Sequence, residues 1–431
     1  MLATQAAFAQ AAGAAAGKTV DYTARAGDTL YDVADRYMQG SGDWAILARI
    51  NGVPAPRHLQ PGTVLKLPVV RLRRERQSAR VIAVQGPAER ASGGAYVPLV
   101  LDTTLTEGDH LRTGANGFAT LELADGTHMS LPPDSRLELT TLRRTVLTGT
   151  LDRVFDLRGG SVDSEVTHLK KQDDRFQIRS PSVVAGVRGT HFRVDYDAAA
   201  SAVTRVEVLD GTVGVAGGRP KADTGATLVH ANFGSVATAD GKVGAPVALL
   251  PAPTLDKPGR VQDEPDVSFD LAPVPNAHGY RVELAHDAAL LDPFSEMRTT
   301  APHVVFRNVP NGMHFVRIAA IDENGLEGQP RTYTFERRQM GIDASATPGA
   351  EGYVFRWSPN GAGASARYRF VLSASKDLSA PIVDQVGLTT RQVSVAHLPP
   401  GDYYWAVTIE EFEGGRFYEK TSPVSAFTLS R

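Results

Sequence analysis

From Arg80 to the end of the chain, apolar residues recur at every second position in short runs, and the runs stop at turns rich in glycine, proline or asparagine. Phe118-Ala119-Thr120-Leu121-Glu122-Leu123 shows the period, and Ala124-Asp125-Gly126-Thr127 supplies the hairpin turn that follows. Such alternation puts apolar side chains on one face of a strand and polar ones on the other. The bulk of the chain therefore cannot be a helical bundle and must be built from many short strands. A length of 431 residues exceeds what one hydrophobic core supports, so the strands are shared among several domains.

The first seventy residues break the rule. Asp21 to Arg25 alternates like an edge strand. Thr29 and Asp32 then form a T-x-x-D capping box, which starts a helix whose buried face is Leu30, Val33, Ala34 and Tyr37. Gly40-Ser41-Gly42 ends it. Asp43 is placed to cap a second helix with Trp44, Leu47 and Ile50 turned inward and Asn51-Gly52 closing it. Thr63 to Pro68 is a returning strand after the turn Leu59-Gln60-Pro61-Gly62. The order is βααβ. Y-T-x-R-x-G-D-T-L-x-D-V-A, W-x-x-L-x-x-I-N-G and L-Q-P-G-T-V-L-K-L-P together resemble the LysM family along its whole length. The resemblance implies binding of N-acetylglucosamine-containing glycan, chiefly peptidoglycan or chitin. It places a groove between Gly27, Asp28, Thr29 and Leu30 on one side and Asn51, Val53, Pro54, His58 and Leu59 on the other. Backbone amides and a short hydroxyl would meet the acetamido groups, while Leu30, Val53 and Leu59 would cover the sugar methyls. The same polar residues also serve as helix caps and stops, and both roles are compatible.

The basic run Arg71-Leu72-Arg73-Arg74-Glu75-Arg76 reads as a solvated linker. Beyond it, L-x-x-G-D-x-L-x-T-G (Leu105 to Gly114), A-D-G-T (Ala124 to Thr127), L-R-G-G-S-V (Leu157 to Val162) and S-P-x-x-x-x-x-V-R-G-T-x-F-x-V (Ser180 to Val194) resemble the FecR domain, which is periplasmic and β-rich. Its best-known members relay a signal to an anti-sigma segment and carry a cytoplasmic helix and one membrane span before the domain. Neither precedes it here, so sigma-factor control is not carried over. Val187 and Phe192 differ in parity, which a bulge near Gly189 would reconcile. Arg188 is expected to pair with an acidic residue of the same domain.

Beyond Gly244, Pro246, Pro251, Pro253 and Pro258 mark a linker. One unit then occurs twice. Tyr280-Arg281-Val282-Glu283-Leu284 leads to Val309-Pro310-Asn311-Gly312, and Tyr368-Arg369-Phe370-Val371-Leu372 leads to Leu398-Pro399-Pro400-Gly401. Each turn opens an aromatic alternating strand. Both copies are similar to fibronectin type III sandwiches. Trp357, Tyr404 and Trp405 are read as core or turn residues.

Several function classes drop out. A net charge of −3 gives no general reason to bind nucleic acid or an anionic membrane. Without cysteine there are no disulfides or thiolate metal sites. His110, His128, His168 and His191 show no ligand spacing, and no Ser/His/Asp order can be argued. No catalytic residue, metal or cofactor is expected, nor is a membrane span. Gly13 to Thr19 mimics a phosphate-binding loop, but one residue short and with no strand feeding it. Met1 to Ala16 is small and apolar, with Ala7-Phe8-Ala9 as a cleavage pattern, and resembles the tail of a secretory signal peptide whose true start lies upstream. A disordered leader remains the alternative.

The expected fold is multidomain and mainly β. The leader is 1–18, the LysM module 20–69, the basic linker 70–79 and the FecR-like β-roll or sandwich 80–217. A β extension and proline-rich linker follow at 218–258, then two fibronectin-like sandwiches at 259–338 and 345–430. The expected function is non-catalytic binding of peptidoglycan in the cell envelope or periplasm, with the β domains as a scaffold for another envelope protein. A periplasmic FecR-type signalling regulator is the alternative.

Overall fold

The structure is a computed structural model that describes residues 17–198, 202–218, 225–349, 352–360, 365–413 and 415–430. Positions 1–16, which carry the leader expectation, lie outside them. The chain is mainly β and forms two compact units. The first comprises residues 1–253, 273–300 and 317–331; the second comprises 254–272, 301–316 and 332–431. The division falls inside the strand Gly312–Ile321, between Val316 and Arg317.

The first unit begins with strand β1 (Thr19–Thr23), helix α1 (Leu30–Tyr37), helix α2 (Trp44–Asn51) and strand β2 (Val64–Pro68). β1 and β2 pair antiparallel, from Thr19 opposite Pro68 to Thr23 opposite Val64. The Thr29–Asp32 capping box forms in full, so two of the first-turn amides are satisfied reciprocally. Leu30, Val33, Ala34, Leu47, Leu65 and Leu67 fill the core. Two expectations for α2 need correction. Asp43 makes no side-chain capping bond, because its backbone is already helical, and its carboxylate instead faces Arg71 at 3.5 Å. Ile50 is 43 % exposed, whereas Trp44 packs against Tyr31 with tilted rings whose centres are 4.8 Å apart. α2 ends at Gly52 in the left-handed region, as Asn51-Gly52 predicts.

The basic run is not a solvated linker. Leu72, its one apolar residue, is buried in the core of the helical module, and Met38 bridges to it. Arg74–Arg76 is a strand paired with Arg143–Thr145. Leu147, from the turn that follows, packs onto the same core. Alternating charge hid this, because each arginine keeps its head in water while its backbone pairs.

Strands from Arg74 to Ala248 close into a barrel. The longest, Leu151–Val166, belongs to both of its faces. Its first half pairs with Arg136–Thr145, and its second half with Thr190–Asp197. Gly160 lies between the two halves at φ +73, where a Cβ would stand 2.6 Å from the Asp134 carbonyl oxygen. Only glycine lets the strand cross that corner. The inward residues, among them Leu121, Phe155, Phe176, Phe192 and Val208, form one continuous core.

No bulge sits at Gly189. Val183–Val187 and Thr190–Asp197 are separate strands, and the register slip comes two residues later, between His191 and Phe192. Gly189 (φ +123) passes so close to His168 that a Cβ would lie 2.7 Å from its Cα. Arg188 is exposed and donates from Nη2 to the Lys171 carbonyl at 2.9 Å, with no acidic partner among the described residues.

The proline-rich stretch is stitched down. Val247–Ala248 pairs with Phe233–Gly234, the Leu249 amide donates to Asn232 O, and Leu250 O accepts from the Gln329 amide.

In the second unit, Val267–Asp270 pairs with His303–Phe306. The last module has two sheets. One joins Gly341–Pro348, Gly352–Asn360 and Gln392–Ala396; the other is built around Arg367–Ser373 and Gly401–Glu413. Phe355, Trp357, Phe370, Trp405 and Ile409 fill its core, which places both tryptophans as expected. The repeated turn is locked at the same offset in both copies. The Tyr403 hydroxyl donates to Pro399 O at 2.6 Å, and His314 Nε2 bonds Pro310 O at 2.8 Å. This is the corner device known from β-sandwiches, with histidine replacing tyrosine in the first copy.

Candidate functional site

The two loops expected to form a groove do meet. The Leu30 amide donates to Pro56 O at 2.8 Å, which ties the Gly27–Leu30 loop to the 53–59 loop. The polar residues of the set are committed to that architecture. Asp28 is 7 % exposed and accepts from the Tyr22 hydroxyl (2.6 Å) and the Arg25 amide (2.8 Å). Burial acts to raise its pKa, but those two bonds and Arg36 hold the carboxyl below its ordinary value. Tyr22 is pushed up to about 12, first by burial and then by its bond to Asp28. Thr29 Oγ1 exchanges bonds with Asp32. Asn51 acts as a piece of backbone: Oδ1 accepts from the Lys66 amide at 2.6 Å, while Nδ2 donates to Lys66 O and Leu47 O.

Two parts of the expected mechanism therefore change. The amides of Asp28, Thr29 and Leu30 are not open donors; they bond Arg25 O, Asp32 Oδ2 and Pro56 O. The Leu30 side chain is fully buried and cannot cover a sugar methyl. Gly27, Pro54 and His58 are exposed, and Val53 and Leu59 are half-buried against the core. The two loops thus carry half-buried Val53 and Leu59, exposed Pro54 and the exposed His58 imidazole, and internal polar bonds fix them.

A second feature of the first unit escaped the sequence. The sheet face bearing Arg193, Asp195, Arg205 and Glu207 carries its charges inward, against Arg281, Glu283, Glu296, Arg298, Arg317 and Glu327. Glu327 is the hub. Its carboxylate accepts from Arg193 (2.6 Å), Arg281 (3.1 Å) and Arg298 (2.5 Å), and its amide donates to Glu207 Oε1 (3.2 Å). Arg193 also donates to the carbonyls of Glu327 and Gly328. Arg281 reaches Glu296 and Glu283 at 2.8 and 2.9 Å, and Arg317 joins Glu283 (2.8 Å) to Asp163 (3.3 Å), which also bonds His191 (2.8 Å). A cavity of about 200 Å³ lies among these groups.

Desolvation is the largest influence on Asp163, Asp195, Glu207, Glu283 and Glu327, and it acts to raise them. For Glu327 the three arginines prevail and hold it far below its ordinary range; for Asp163, His191 and Arg317 do the same. Glu207 lacks such partners: Arg193 helps, but Glu327 and Asp195 oppose it, and burial pushes it up to about 8. From sequence, R-V-D, R-V-E and R-V-E-L read as solvent faces of amphipathic strands. Only the pairing of two such faces, bases of one against acids of the other, reveals a buried interface.

Two family models match the chain. Residues 22–68 match the LysM domain, and residues 109–214 match the FecR protein family. The chain therefore carries a LysM domain and a FecR domain, neither of them a catalytic family. A LysM domain points to glycan or peptidoglycan binding, and a FecR domain to a signalling regulator; both point to the cell envelope or periplasm. No helix among the described residues is long and apolar enough to cross a membrane. No curated protein matches the chain. Among solved structures, a candidate anti-sigma factor from Parabacteroides distasonis is 16 % identical at a TM-score of 0.26, over 32 % of this chain and 59 % of its own. The chain thus spans less than two thirds of that protein. The FN1-FN3 domains of chicken CNTN1 are 14 % identical at a TM-score of 0.25, over 63 % of this chain and 99 % of theirs. The fibronectin(III)-like modules of Clostridium thermocellum CbhA are 13 % identical at 0.20, over 40 % and 90 %.

Proposed function

We propose that this is a non-catalytic cell-envelope protein that holds peptidoglycan through its LysM groove and presents its β domains as a scaffold for another envelope protein. The observation that carries the reading is the fixed pair of loops at 27–30 and 53–59 within a LysM domain. Gly27, Val53, Pro54, His58 and Leu59 contact the N-acetylglucosamine-containing glycan. Asp28, Thr29, Leu30 and Asn51 position those loops. Val53 and Leu59 take the methyl of an acetamido group, and the His58 imidazole is a rim hydrogen-bond partner. So shallow a groove gives a Kd of roughly micromolar to millimolar. The module order of the reading is LysM 20–69, FecR-like 80–217, and fibronectin-like 259–338 and 345–430.

Hydrogen exchange on the full chain, with and without soluble N-acetylglucosamine oligomers, tests it. Protection is expected in 24–31 and 51–62, and the same oligomers should release the chain from insoluble peptidoglycan. Protection confined to the FecR domain or the last module would place the glycan site elsewhere. The FecR domain also favours a second reading, a periplasmic signalling regulator. Loss of a transcriptional response in cells lacking the chain, with wall attachment unaffected, would favour that reading.

A further inference from the structure

The LysM module has a second concave surface, at the foot of its sheet and away from the groove loops. A cleft of about 440 Å³ is lined there by Lys18, Thr19 and Val20 at the start of β1, by Val69, Leu72 and Arg74 just beyond β2, and by the barrel residues Thr145, Thr148, Thr150, Asp152, Asp173 and Arg175. Three properties of its walls specify a ligand.

The first is backbone. β1 pairs with β2 in a sheet of two strands, so among the described residues its other edge is unpaired, and Thr19 and Val20 line the cleft. An open strand edge is a template for an extended peptide. The second is charge. Lys18, Arg74 and Arg175 stand against Asp152 and Asp173, three positive to two negative. Asp152 is shared between Arg175 at 2.6 Å and Arg74 at 3.4 Å, while Lys18 pairs with Asp173. An exposed pair such as Lys18 with Asp173 is weak and exchanges partners readily. The surplus cation suits a carboxylate. The third is surface chemistry. Four threonines line it, Thr148 and Thr150 bonded to each other, and Val20 and Val69, over the buried Leu72, form an apolar floor suited to small aliphatic side chains.

We infer that this cleft binds a short extended peptide bearing free carboxylates, namely the stem peptide carried by the glycan in the LysM groove. The inference rests on the reading of that groove given above. The lengths agree. From Thr19 to Thr23 the strand rises about 13 Å, and the groove loop begins a few residues later. A five-residue peptide extends to roughly 17 Å. A strand of wall could thus be held at its sugar and at its peptide by one chain.

The test titrates the full chain with a peptidoglycan tetrasaccharide before and after an amidase removes its peptides, and with the released peptide alone. The peptide-bearing glycan should bind about tenfold more tightly than the bare one. Arg175→Gln combined with Lys18→Ala should reduce that ratio to below twofold and leave bare-glycan affinity unchanged, which also shows that the variant is folded. Lys18→Ala alone, a substitution at an exposed position, should give a partial loss. Equal binding of the two glycans by the wild type, or a preference that survives in the variant, overturns the inference. Should neither glycan bind, the groove reading fails. Binding of the released peptide that depends on Arg175 would then uphold the cleft, and its absence would end that proposal too.

Discussion

The first unit is held together at two places built on opposite principles. Where the LysM module meets the barrel, the contact is backbone and oil. The Arg73 amide donates to Tyr37 O, the Val146 amide to Arg73 O, and Leu147 packs on the LysM core. The ion pairs there, such as Arg144 with Glu75, stay largely in water. Where the barrel meets the strands around Glu327, the contact is a buried lattice of arginines and carboxylates. The first kind tolerates the loss of any one polar group. The second is stable only while complete, because removing one partner leaves the others charged and dry.

The largest expected effect follows from that difference. Glu327→Ala removes the acceptor shared by Arg193, Arg281 and Arg298, and should cost about 3–5 kcal/mol in denaturant unfolding. Replacing Glu75, at the other contact, should cost well under 1 kcal/mol. Comparable losses for the two variants would show that the lattice contributes no more than a surface pair.

The apolar contact has its own weak point. Leu147→Ala removes a barrel side chain that packs on the LysM core and should cost about 2 kcal/mol, at the low end for truncated leucines because the residue is only half-buried. The loss should appear as faster hydrogen exchange in 30–51 and leave exchange in the barrel core unchanged. Uniform destabilisation of the barrel would mean that Leu147 belongs to its folding unit.

The two contacts also differ in how legible they are. The capping box at Thr29, the αL stop at Gly52, the hairpin at 124–127 and the repeated Pro-x-Gly corner are local devices. Each is encoded within a few residues, and each forms as read. Leu72 and Leu147 lie 75 positions apart, and no period links them. Arg193 and Glu327 lie 134 apart, on strands whose polar faces look ordinary alone. Within the two loops, the parts played by the polar residues were not legible. Asp28 and Asn51 are there to hold loops, which shows only when their partners at Tyr22 and Lys66 are located.

Acidity separates the contacts more gently. Glu207 is raised in the folded protein to about 8, above its ordinary carboxyl value. A raised pKa means that the folded state binds the proton more tightly, so this contribution is complete below about pH 4.5 and is lost as pH climbs toward 8. Glu327 and Asp163 are lowered, so their contributions hold at neutral pH and fade in acid. Unfolding midpoints should therefore fall from pH 6 to pH 8.5, with a slope no steeper than about 1.4 kcal/mol per pH unit, the limit for one proton. Glu207→Gln should flatten that limb and leave the acid limb in place. An unchanged alkaline slope in the variant would assign the proton elsewhere.

The smallest effect is expected at the arginine of the V-R-G-T motif. Sequence alone suggests a buried, paired side chain. The structure shows an exposed Arg188 whose Nη2 meets one carbonyl, that of Lys171. Truncating it removes a solvated bond and leaves no buried charge, so Arg188→Ala should shift stability by less than about 0.5 kcal/mol. The constrained residue is its neighbour. Gly189 combines a positive φ with a 2.7 Å approach to the His168 backbone, and Gly211 of the next turn packs a would-be Cβ 2.7 Å from the Gly189 carbonyl. Gly189→Ala should therefore cost at least 1–3 kcal/mol, from backbone strain and from displacement of the 168 loop. Thermal melts of the two variants decide the matter. If Arg188→Ala proves the more damaging, the motif is held by its side chain, and the close approach of the two glycine turns is incidental.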